Sequence, residues 1–384
     1  MMTKKNDYSM QVTSKQLIDY IRRTFRSIVL GINVFTLLLL LSSYLSWSVS
    51  PDRSLLFAYL GLAFPFTLTA NLLILTFWIV TSKWKIVLFN VIVLIICYSP
   101  ITTYFPINVF SKSPPEDSIK ILSYNVRGFN WELDRKWNKD QPMVQYLKSV
   151  DADIICMQEY VVSTNDKHAS TRNLQRVLKV YPYYSVIPLR PSNGRYEYGL
   201  ACFSKYPIKS IKSIPIETSD NGAAMYTIDV NGKMITVINN HLESNRLTSK
   251  DKKMYKDFLR ARDSRRLDEV TQSLDSKLGV AFRKRAPQAD MVAQYIAERT
   301  TDAIIVCGDF NDSPISYSYR TIKKDLKDAY AETGFGPGIT YHENHFWFRI
   351  DFIMYSKNLK AYKCTVDKVK LSDHYPIWTY LSFK

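Results

Sequence analysis

The chain of 384 residues is 46% hydrophobic and 22% charged, which excludes a disordered or collagen-like protein and leaves room for one or two domains. Its formal net charge of +16 is unevenly distributed: residues 1–112 contain ten of the 51 Lys and Arg residues and three of the 35 Asp and Glu residues. The first third is therefore apolar and poor in acids. A purely cytosolic enzyme is not expected from such a chain.

Three charge-free runs follow one another in this first third, over Ser27–Pro51, Ser54–Ser82 and Ile86–Ser111. A membrane-spanning helix needs about 20 apolar residues, so each run is long enough. We therefore predict an anchor of three transmembrane helices over residues 27–111. A cleaved signal peptide over Ile28–Leu41 is the alternative for the first run, although two further runs follow it. Buried soluble helices are the other alternative, which the length of the three runs disfavours.

The segment before the first run, residues 1–26, contains six basic residues. Basic segments favour the cytoplasmic side of a membrane, so this N-terminus is predicted to be cytoplasmic. Three spans then place the rest of the chain in the periplasm or outside the cell, with a bacterial inner membrane as the expected location. Four aromatic residues near the ends of the runs favour the membrane interface. They are Trp47, Trp78, Trp84 and Tyr104.

Residues 112–117, with a proline pair and charged residues, are predicted to be a linker. The remaining residues, 118–384, are enough for one large domain with a sizeable core. Apolar segments of strand length alternate there with helical patterns, which favours two sheets faced by helices. The predicted strands are Ile119–Tyr124, Asp153–Gln158, Leu200–Phe203, Ala223–Asp229, Lys233–Asn239, Ala303–Cys307 and Arg349–Tyr355. Helices are predicted over Gln141–Val150 and around Ala289–Ile296.

Polar residues with chemical capability come directly after several of these apolar segments. Strand ends that meet at one edge of a sheet bring such side chains into one pocket. Each of them alone has a structural explanation, since Asn, Asp and His commonly cap strands and turns. Seven of them in the same relative place favour a functional site instead. These residues are Asn125, Glu159, His241, Asp309, Asn311, Asp373 and His374.

Six short segments that contain these residues occur in a recognisable order along the chain. They are Ser123-Tyr-Asn125-Val, Met157-Gln-Glu159, Asn240-His241-Leu, Gly308-Asp309-Phe-Asn311, Arg349-Ile-Asp351-Phe-Ile and Ser372-Asp373-His374-Tyr-Pro. A single Gly-Asp-Phe-Asn would be weak evidence, but the ordered series resembles that of the endonuclease/exonuclease/phosphatase superfamily. The resemblance covers residues 118–384. It implies a four-layer α/β sandwich of two packed mixed sheets, with the active site at one end.

The resemblance also implies a metal site for Mg²⁺, with Mn²⁺ as the alternative ion. Glu159 would hold the metal, because Mg²⁺ prefers carboxylate oxygen. Asn125 would support the metal or bind a phosphate oxygen, and Asp373 would be a further metal contact. The cation would assist cleavage of a phosphoester by stabilising the added negative charge.

The catalytic roles implied by the resemblance fall on five residues. Asp309 would orient and deprotonate the attacking water, and Asn311 would donate a hydrogen bond to the phosphate. His374 would bind the phosphate and stabilise the developing charge, while Asp351 would fix the tautomer of His374. His241 resembles a second histidine of the deoxyribonuclease and sphingomyelinase branches, and is the candidate acid for the leaving oxygen.

One position departs from the pattern of abasic-site endonucleases, which have an aspartate two residues after the asparagine. Arg127 occupies that position here, which weakens a repair function and any scheme with two metals. Arg127 either clamps a substrate phosphate or is a solvated loop arginine.

The substrate is left open by the sequence. Residues 246–285 contain 13 basic and six acidic residues, which is typical either of a basic arm for nucleic acid or anionic lipid, or of a solvated insertion with mixed charges. We predict a metal-dependent hydrolase that cleaves a phosphodiester and is nuclease-like. The alternative is a phosphodiesterase for lipid head groups, resembling a sphingomyelinase, and a non-catalytic membrane scaffold is less favoured. Nucleic acid or a phospholipid head group and the bilayer are the expected partners, and no protein partner is predicted.

Overall fold

The computed structural model describes residues 14–109, 112–130, 136–192, 194–216, 220–246, 267–343 and 346–384. Its first part is helical throughout. The elements are α1 (Ser14–Tyr44), a 3-10 turn (Leu45–Trp47), α2 (Leu55–Leu62), α3 (Phe64–Val80), α4 (Trp84–Ile96) and α5 (Tyr98–Tyr104). The predicted anchor thus has more helices than the sequence indicated: α1 is longer than the first run, and each of the other two runs divides into two shorter helices.

One helical segment of the anchor, Lys15–Trp47, is long and apolar enough to cross a membrane by itself. The other two runs are each bent, by 59° between α2 and α3 and by 67° between α4 and α5, and pass the same test only as pairs. The prediction of three unbroken spans is therefore corrected: one helix is long and apolar enough to be a membrane span, and the other two runs form bent helix pairs. Pro65 and Pro100 explain both breaks, because a proline ring clashes with the carbonyl four residues earlier and removes a hydrogen bond.

A network of uncharged polar side chains joins α1, α3 and α4 inside the anchor. Asn33 and Asn90 exchange hydrogen bonds through their amides, at 2.9 and 3.0 Å. Trp78 Nε1 donates to Asn33 Oδ1 at 2.9 Å, and Asn71 Nδ2 donates to the carbonyl of Thr36 at 3.0 Å. Buried amides are stable only when they are paired, so this network fixes how the three helices pack.

The aromatic residues near the run ends do not all lie where an interfacial belt would put them. Trp47, Trp78 and Tyr104 are buried against other parts of the protein, and only Trp84 is largely exposed. Burial is possible for the two tryptophans because each indole N–H has an acceptor, Asn33 for Trp78 and the carbonyl of Pro314 for Trp47.

The second part of the chain forms two sheets of six strands. Its strands are β1 (Ile119–Asn125), β2 (Ile154–Ser163), β3 (Tyr183–Pro188), β4 (Tyr196–Ser204), β5 (Ile208–Ile214), β6 (Gly222–Val230), β7 (Lys233–His241), β8 (Ala303–Asp309), β9 (Lys327–Asp328), β10 (Asp351–Tyr355), β11 (Leu359–Val366) and β12 (Ile377–Phe383). Its helices are α6 (Pro142–Val150), α7 (Thr171–Val177), α8 (Leu267–Ala297), α9 (Tyr317–Lys323) and α10 (Ala329–Thr333).

Both sheets are mixed, with orders β11-β12-β1-β2-β4-β3 and β5-β6-β7-β8-β10-β9. Each contains one parallel pair, β1 with β2 and β7 with β8, and all other neighbours are antiparallel. Apolar residues such as Ile121, Tyr226 and Ile305 form the core between the sheets. Further apolar clusters join the outer face of the first sheet to α6 and α7, and that of the second to α8 and α9. This is the expected four-layer sandwich.

The strands and helices predicted in residues 118–384 are confirmed, and the strand ends differ by a few residues. The helix predicted around Ala289–Ile296 is much longer and begins at Leu267. The predicted strands Ala223–Asp229 and Lys233–Asn239 form the hairpin β6–β7. Its turn residues Asn231 and Gly232 have the positive φ angles, 53° and 87°, that such a turn requires. The division into anchor, linker and domain stays a prediction.

The anchor packs directly against the loop between β8 and α9. Ser46 Oγ donates to the carbonyl of Ile315 at 2.8 Å, and Trp47 Nε1 donates to the carbonyl of Pro314 at 2.9 Å. A Cβ added at Gly61 would lie 2.2 Å from the same Ile315 carbonyl, so only glycine allows this approach. The loop that follows Asp309 is thus held in place by anchor residues.

Candidate active site

The site lies at the edge where both parallel strand pairs end. Asn125 ends β1, the Glu159 side chain leaves β2 nearby, and His241 and Asp309 end β7 and β8. His241 and Asp309 are direct neighbours across the parallel pair β7–β8. The carboxyl ends of adjacent parallel strands leave room for such side chains, which is why the pocket forms there.

Asp351 enters the same edge from the opposite direction, because β10 runs antiparallel to β8 with Asp351 opposite Asp309. His374 lies just before β12, and its Nδ1 donates a hydrogen bond to Asp351 Oδ2 at 2.8 Å. All the strand-end residues predicted to be catalytic are thus within one connected group of side chains.

Gly308 sets the spacing of the central strands. Its φ of +129° and the absence of a side chain let β8 approach β7, since an added Cβ would lie 2.0 Å from the carbonyl oxygen of Asn240. The glycine of the Gly-Asp-Phe-Asn segment therefore has a steric role.

Three site residues have left-handed backbone conformations that are uncommon outside glycine: Arg127, Glu159 and Asn311, with φ of 45°, 47° and 52°. At Glu159 the register of β2 against β4 shifts, as in a β-bulge, between Met157 and Tyr160. A bulge redirects a side chain that regular pleating would bury in the sheet. Such conformations often occur at functional sites.

Asp309 is a buried carboxylate at the centre of the group. Its Oδ2 accepts a hydrogen bond from Asn125 Nδ2 at 3.0 Å, and its Oδ1 accepts one from the backbone N–H of Asn311 at 2.8 Å. Burial and, next, the charge of Asp351 raise the pKa of Asp309 to about 6, against the opposing effects of His374 and His241. A carboxylate with this pKa is ionised at neutral pH and is still a competent proton acceptor.

His374 is also buried, with Nε2 3.7 Å from Asp309 Oδ2. Burial alone would lower its pKa, but Asp351 and Asp309 outweigh that effect and raise the pKa to about 10. His374 is therefore an imidazolium at neutral pH. Its positive charge lies between two carboxylates, Asp351 on the Nδ1 side and Asp309 on the Nε2 side.

His241, unlike His374, is a neutral imidazole at neutral pH. Its Nε2 is 3.7 Å from Glu159 Oε1 and 3.8 Å from Asp309 Oδ2, but burial lowers its pKa despite these acidic neighbours. A neutral imidazole offers a hydrogen bond, whereas an imidazolium also offers a proton. Of the two histidines, His374 is thus the one with a proton to give at neutral pH.

Asn125 turns its amide NH₂ group toward the carboxylates, donating to Glu159 Oε1 at 3.2 Å as well as to Asp309. Its oxygen accepts the backbone N–H of Arg127 at 3.1 Å. Asn125 therefore orients both acids. The side-chain NH₂ group of Asn311 donates a hydrogen bond to the carbonyl of Leu242 at 3.0 Å.

Arg127 lies at the edge of this group, in two ion pairs. Its Nη1 is 3.3 Å from Glu343 Oε1, and its Nε is 3.7 Å from Asp373 Oδ2. Both acids are partly exposed, as is the arginine. These two ion pairs therefore hold Arg127 in place at the margin of the pocket.

The donor groups present fit a hard divalent cation. Glu159 and Asp373 both line the pocket with carboxylate oxygens, and burial raises the pKa of Glu159 with only partial compensation by Asn125. A nearby cation would stabilise such a carboxylate. In the described part of the chain, the ligand atoms of Asp309, Asp351 and His374 also lie within 4.8 Å of one another. An imidazolium has no free nitrogen for a metal, so this group is not the site that fits the cation.

These residues form the floor of a cavity of about 830 Å³. Its walls are apolar and come from both parts of the chain, which the sequence analysis did not foresee. The aromatic run Phe346-Trp347-Phe348 was the available signal on the domain side, and Pro65 with Phe66 on the anchor side. Tyr341, whose ring lies 5.1 Å from that of His374, was also missed.

A family model described as the endonuclease/exonuclease/phosphatase family matches residues 122–374, about two thirds of the chain. The chain therefore belongs to this family, a family of phosphoester hydrolases. A second model, described as a domain of unknown function, matches residues 26–104. No curated protein matches the sequence.

Solved structures show the same fold. The catalytic domain of human Nocturnin, solved with a bound sulfate anion, has a TM-score of 0.50 and 18% identity, covering 71% of this chain and 97% of its own. A family protein from Leptotrichia buccalis C-1013-b has a TM-score of 0.47 and 18% identity, covering 69% of this chain and all (100%) of its own. D. rerio TDP2, solved with a single strand DNA product, has a TM-score of 0.47 and 15% identity, covering 69% and 99%. At these identities the likeness concerns the fold alone.

Proposed function

We propose that this protein is a membrane-anchored, divalent-metal-dependent hydrolase that cleaves a phosphodiester with Asp309 as the base. The observation that carries the proposal is the pairing of a buried carboxylate of raised pKa with a buried imidazolium, Asp309 with His374, 3.7 Å apart. A protein that only binds phosphate does not require a proton acceptor and a proton donor with shifted pKa values, whereas a hydrolase does.

In this proposal Asp309 takes a proton from the attacking water as the new P–O bond forms. The bond to the leaving oxygen then breaks, and His374 supplies the proton that this oxygen needs. Asp351 holds the tautomer of His374 through the 2.8 Å hydrogen bond and keeps the ring charged. Neutral His241 offers a hydrogen bond to the phosphate, so its predicted role as the acid passes to His374. Asn125 and Asn311 orient the acids and the phosphate.

Glu159 and Asp373 are the residues proposed to hold the ion, Mg²⁺ or Mn²⁺, and Asn125 supports them by orienting Glu159. A bound divalent cation would supply charge stabilisation for the phosphate as it gains negative charge. Arg127, held by Asp373 and Glu343, is proposed to contact the substrate at the margin.

Nucleic acid and lipid head groups are both phosphodiesters, and the basic segment 246–285 was the argument for the former. Residues 247–266 of this segment lie outside the described residues. Of its described part, Arg246 and Lys284 pair with Glu243, and Arg285 with Asp312. These three basic residues are paired with acids of this chain, and Arg285 is buried as well, which does not favour a nucleic-acid arm at these positions.

The test uses the full chain in detergent, with a chromogenic phosphodiester and a Mg²⁺ titration of the initial rate. Asp309→Asn is expected to lower kcat by at least about a thousandfold at every Mg²⁺ concentration, since it removes the base. Its melting temperature should not fall, because an amide avoids the desolvation of a buried charge.

The matched control is Asp290→Asn, which removes a carboxylate that bonds Tyr317 on the outside of the domain, and should leave kcat unchanged. A wild-type rate that is independent of metal, or an Asp309→Asn variant that keeps most of its activity, would contradict the proposal.

The proposed topology has residues 1–26 in the cytoplasm, the anchor of residues 27–111 crossing the membrane three times, and the domain in the periplasm. The basic N-terminus and the bent helix pairs support it. Alkaline phosphatase fused after Ser111 in a Gram-negative host is expected to be active, and a fluorescent protein at the same point to be dark. The reverse pattern would place the domain in the cytosol.

A further inference from the structure

The cavity above the candidate active site is shared between the anchor and the domain. Its floor is polar and includes Glu159, Asp309 and His374. One wall comes from the corner between α2 and α3 and from the end of α5, with Leu62, Pro65, Phe66, Tyr104 and Phe105. The rest of the apolar lining comes from the domain, with Leu278, Phe282, Ile339, Trp347 and Phe348. A phosphate-handling floor is thus continuous with a long apolar lining.

Two aromatic residues of this lining are exposed, one from the anchor and one from the domain. Phe66 of the anchor is 69% exposed, and Trp347 of the domain is 59% exposed. Large apolar side chains that remain exposed beside a functional pocket commonly mark a binding surface. Here they mark the mouth of the cavity.

Phe66 also locates this mouth relative to a bilayer. It lies in the first turn of α3, which has 17 residues. At about 1.5 Å per residue, α3 is about 26 Å long, close to the ~30 Å of a hydrocarbon core. If α3 crosses the membrane, its first turn is at the hydrocarbon boundary on the side of the domain. The cavity then opens onto the lipid head groups and the upper part of the chains.

The electrostatics of the lining also favour an amphiphile. Among the described residues that line the cavity, Arg246 is the one Lys or Arg, and it pairs with Glu243 at 2.9 Å. A volume of about 830 Å³ is that of a small-molecule site.

We propose that the substrate is a membrane lipid phosphodiester: its phosphate lies at Asp309 and His374, and its apolar chain lies between Phe66 and Trp347. This inference rests on the proposed function and names its substrate class. The substrate enters sideways from the leaflet that faces the domain, so its chain never leaves an apolar environment.

The experiment compares long-chain lipids with a water-soluble analogue that has the same head group and no long chain, using the full chain in nanodiscs. We expect kcat/KM to be at least about a hundredfold higher for the long-chain substrate, which the burial of a few methylene groups can supply. Diacylglycerol-based and sphingoid-based lipids are assayed separately. Both contain the same phosphodiester, so only separate assays can distinguish the two lipid backbones. Single-stranded DNA is a further arm.

Phe66→Ala and Trp347→Ala are expected to lower the ratio of kcat/KM, long-chain over short, by about tenfold each. Leu73→Ala is the matched control, since Leu73 lies on the same helix, is 68% exposed and is outside the cavity lining. That variant should leave the ratio unchanged.

Each outcome has a distinct meaning. Equal kcat/KM for both chain lengths, a preference for DNA, or an equal effect of Leu73→Ala and Phe66→Ala would overturn the lipid proposal and leave the hydrolase proposal intact. If wild type and Asp309→Asn are equally inactive on every arm, both proposals fail.

Discussion

Two buried polar networks in this protein are built in different ways, one in the anchor and one at the active site. The anchor network is uncharged: Asn33 and Asn90 satisfy each other, and Trp78 uses the remaining capacity of Asn33. The site network is charged and incomplete. Asp351 Oδ1 and His241 Nδ1 are buried without a hydrogen-bond partner in the part of the chain that the structure describes.

The difference separates polar groups that hold helices together from polar groups that act on a ligand. A completed amide network stabilises one packing arrangement and leaves no donor or acceptor free for a ligand. A network with unused donors, acceptors and shifted pKa values is less stable by itself and can respond to a substrate or a metal. Three substitutions test this contrast.

Glu159→Gln should have the largest effect of the three. It removes a carboxylate proposed to hold the metal, so the rate at low Mg²⁺ should fall by about a hundredfold. Much of the rate should return at high Mg²⁺, because the defect is in metal affinity. A Mg²⁺ titration measures this, with Asp309→Asn as the variant that does not recover. A Glu159→Gln rate that is equally low at every Mg²⁺ concentration would assign Glu159 another role.

Asp351→Asn should change the pH dependence more than the rate itself. In the wild type, kcat/KM should rise as Asp309 ionises near pH 6 and fall as His374 loses its proton near pH 10. Burial lowers the pKa of His374 and Asp351 is the main group opposing it, so the variant should lose activity at a lower pH. We expect the alkaline limb to move down by at least about one pH unit. An unmoved limb would mean that His374 is not the titrating acid.

Asn33→Leu should have the smallest effect, and on stability alone. It leaves Asn90 and Trp78 without their partner, which should lower the free energy of unfolding in detergent by about 1 kcal/mol. The rate per folded molecule should not change. Ile32→Leu, at the exposed neighbouring position, is the control. A large loss of activity in folded Asn33→Leu protein would show that the two networks are coupled.

The sequence was sufficient for the fold of residues 118–384 and for most of the polar residues that the structure brings together at the candidate site. Asn125, His241 and Asp309 could be found because each ends a strand whose apolar pattern is local and strong. Asp351 came from the ordered motifs of the family, since a single acid inside a predicted strand has no signal of its own.

The charge states and the pocket walls could not be found in this way. His241 and His374 are the same residue type after similar segments, and their pKa values differ because of burial and of Asp351, which are tertiary properties. Phe66 and Trp347 are separated by most of the chain, and no local pattern indicates that they face one cavity. The bends at Pro65 and Pro100 could have been predicted, since proline is a local signal.

Gly308 has a consequence for how this protein tolerates change. Any side chain at this position would meet the Asn240 carbonyl and push β8 away from β7. His241 and Asp309 are neighbours across these two strands, so the same movement would separate two functional side chains. A saturation library at position 308 should therefore be depleted almost as completely as one at position 309. A residue without a side chain is then as constrained as the proposed catalytic base, although it offers no chemistry of its own.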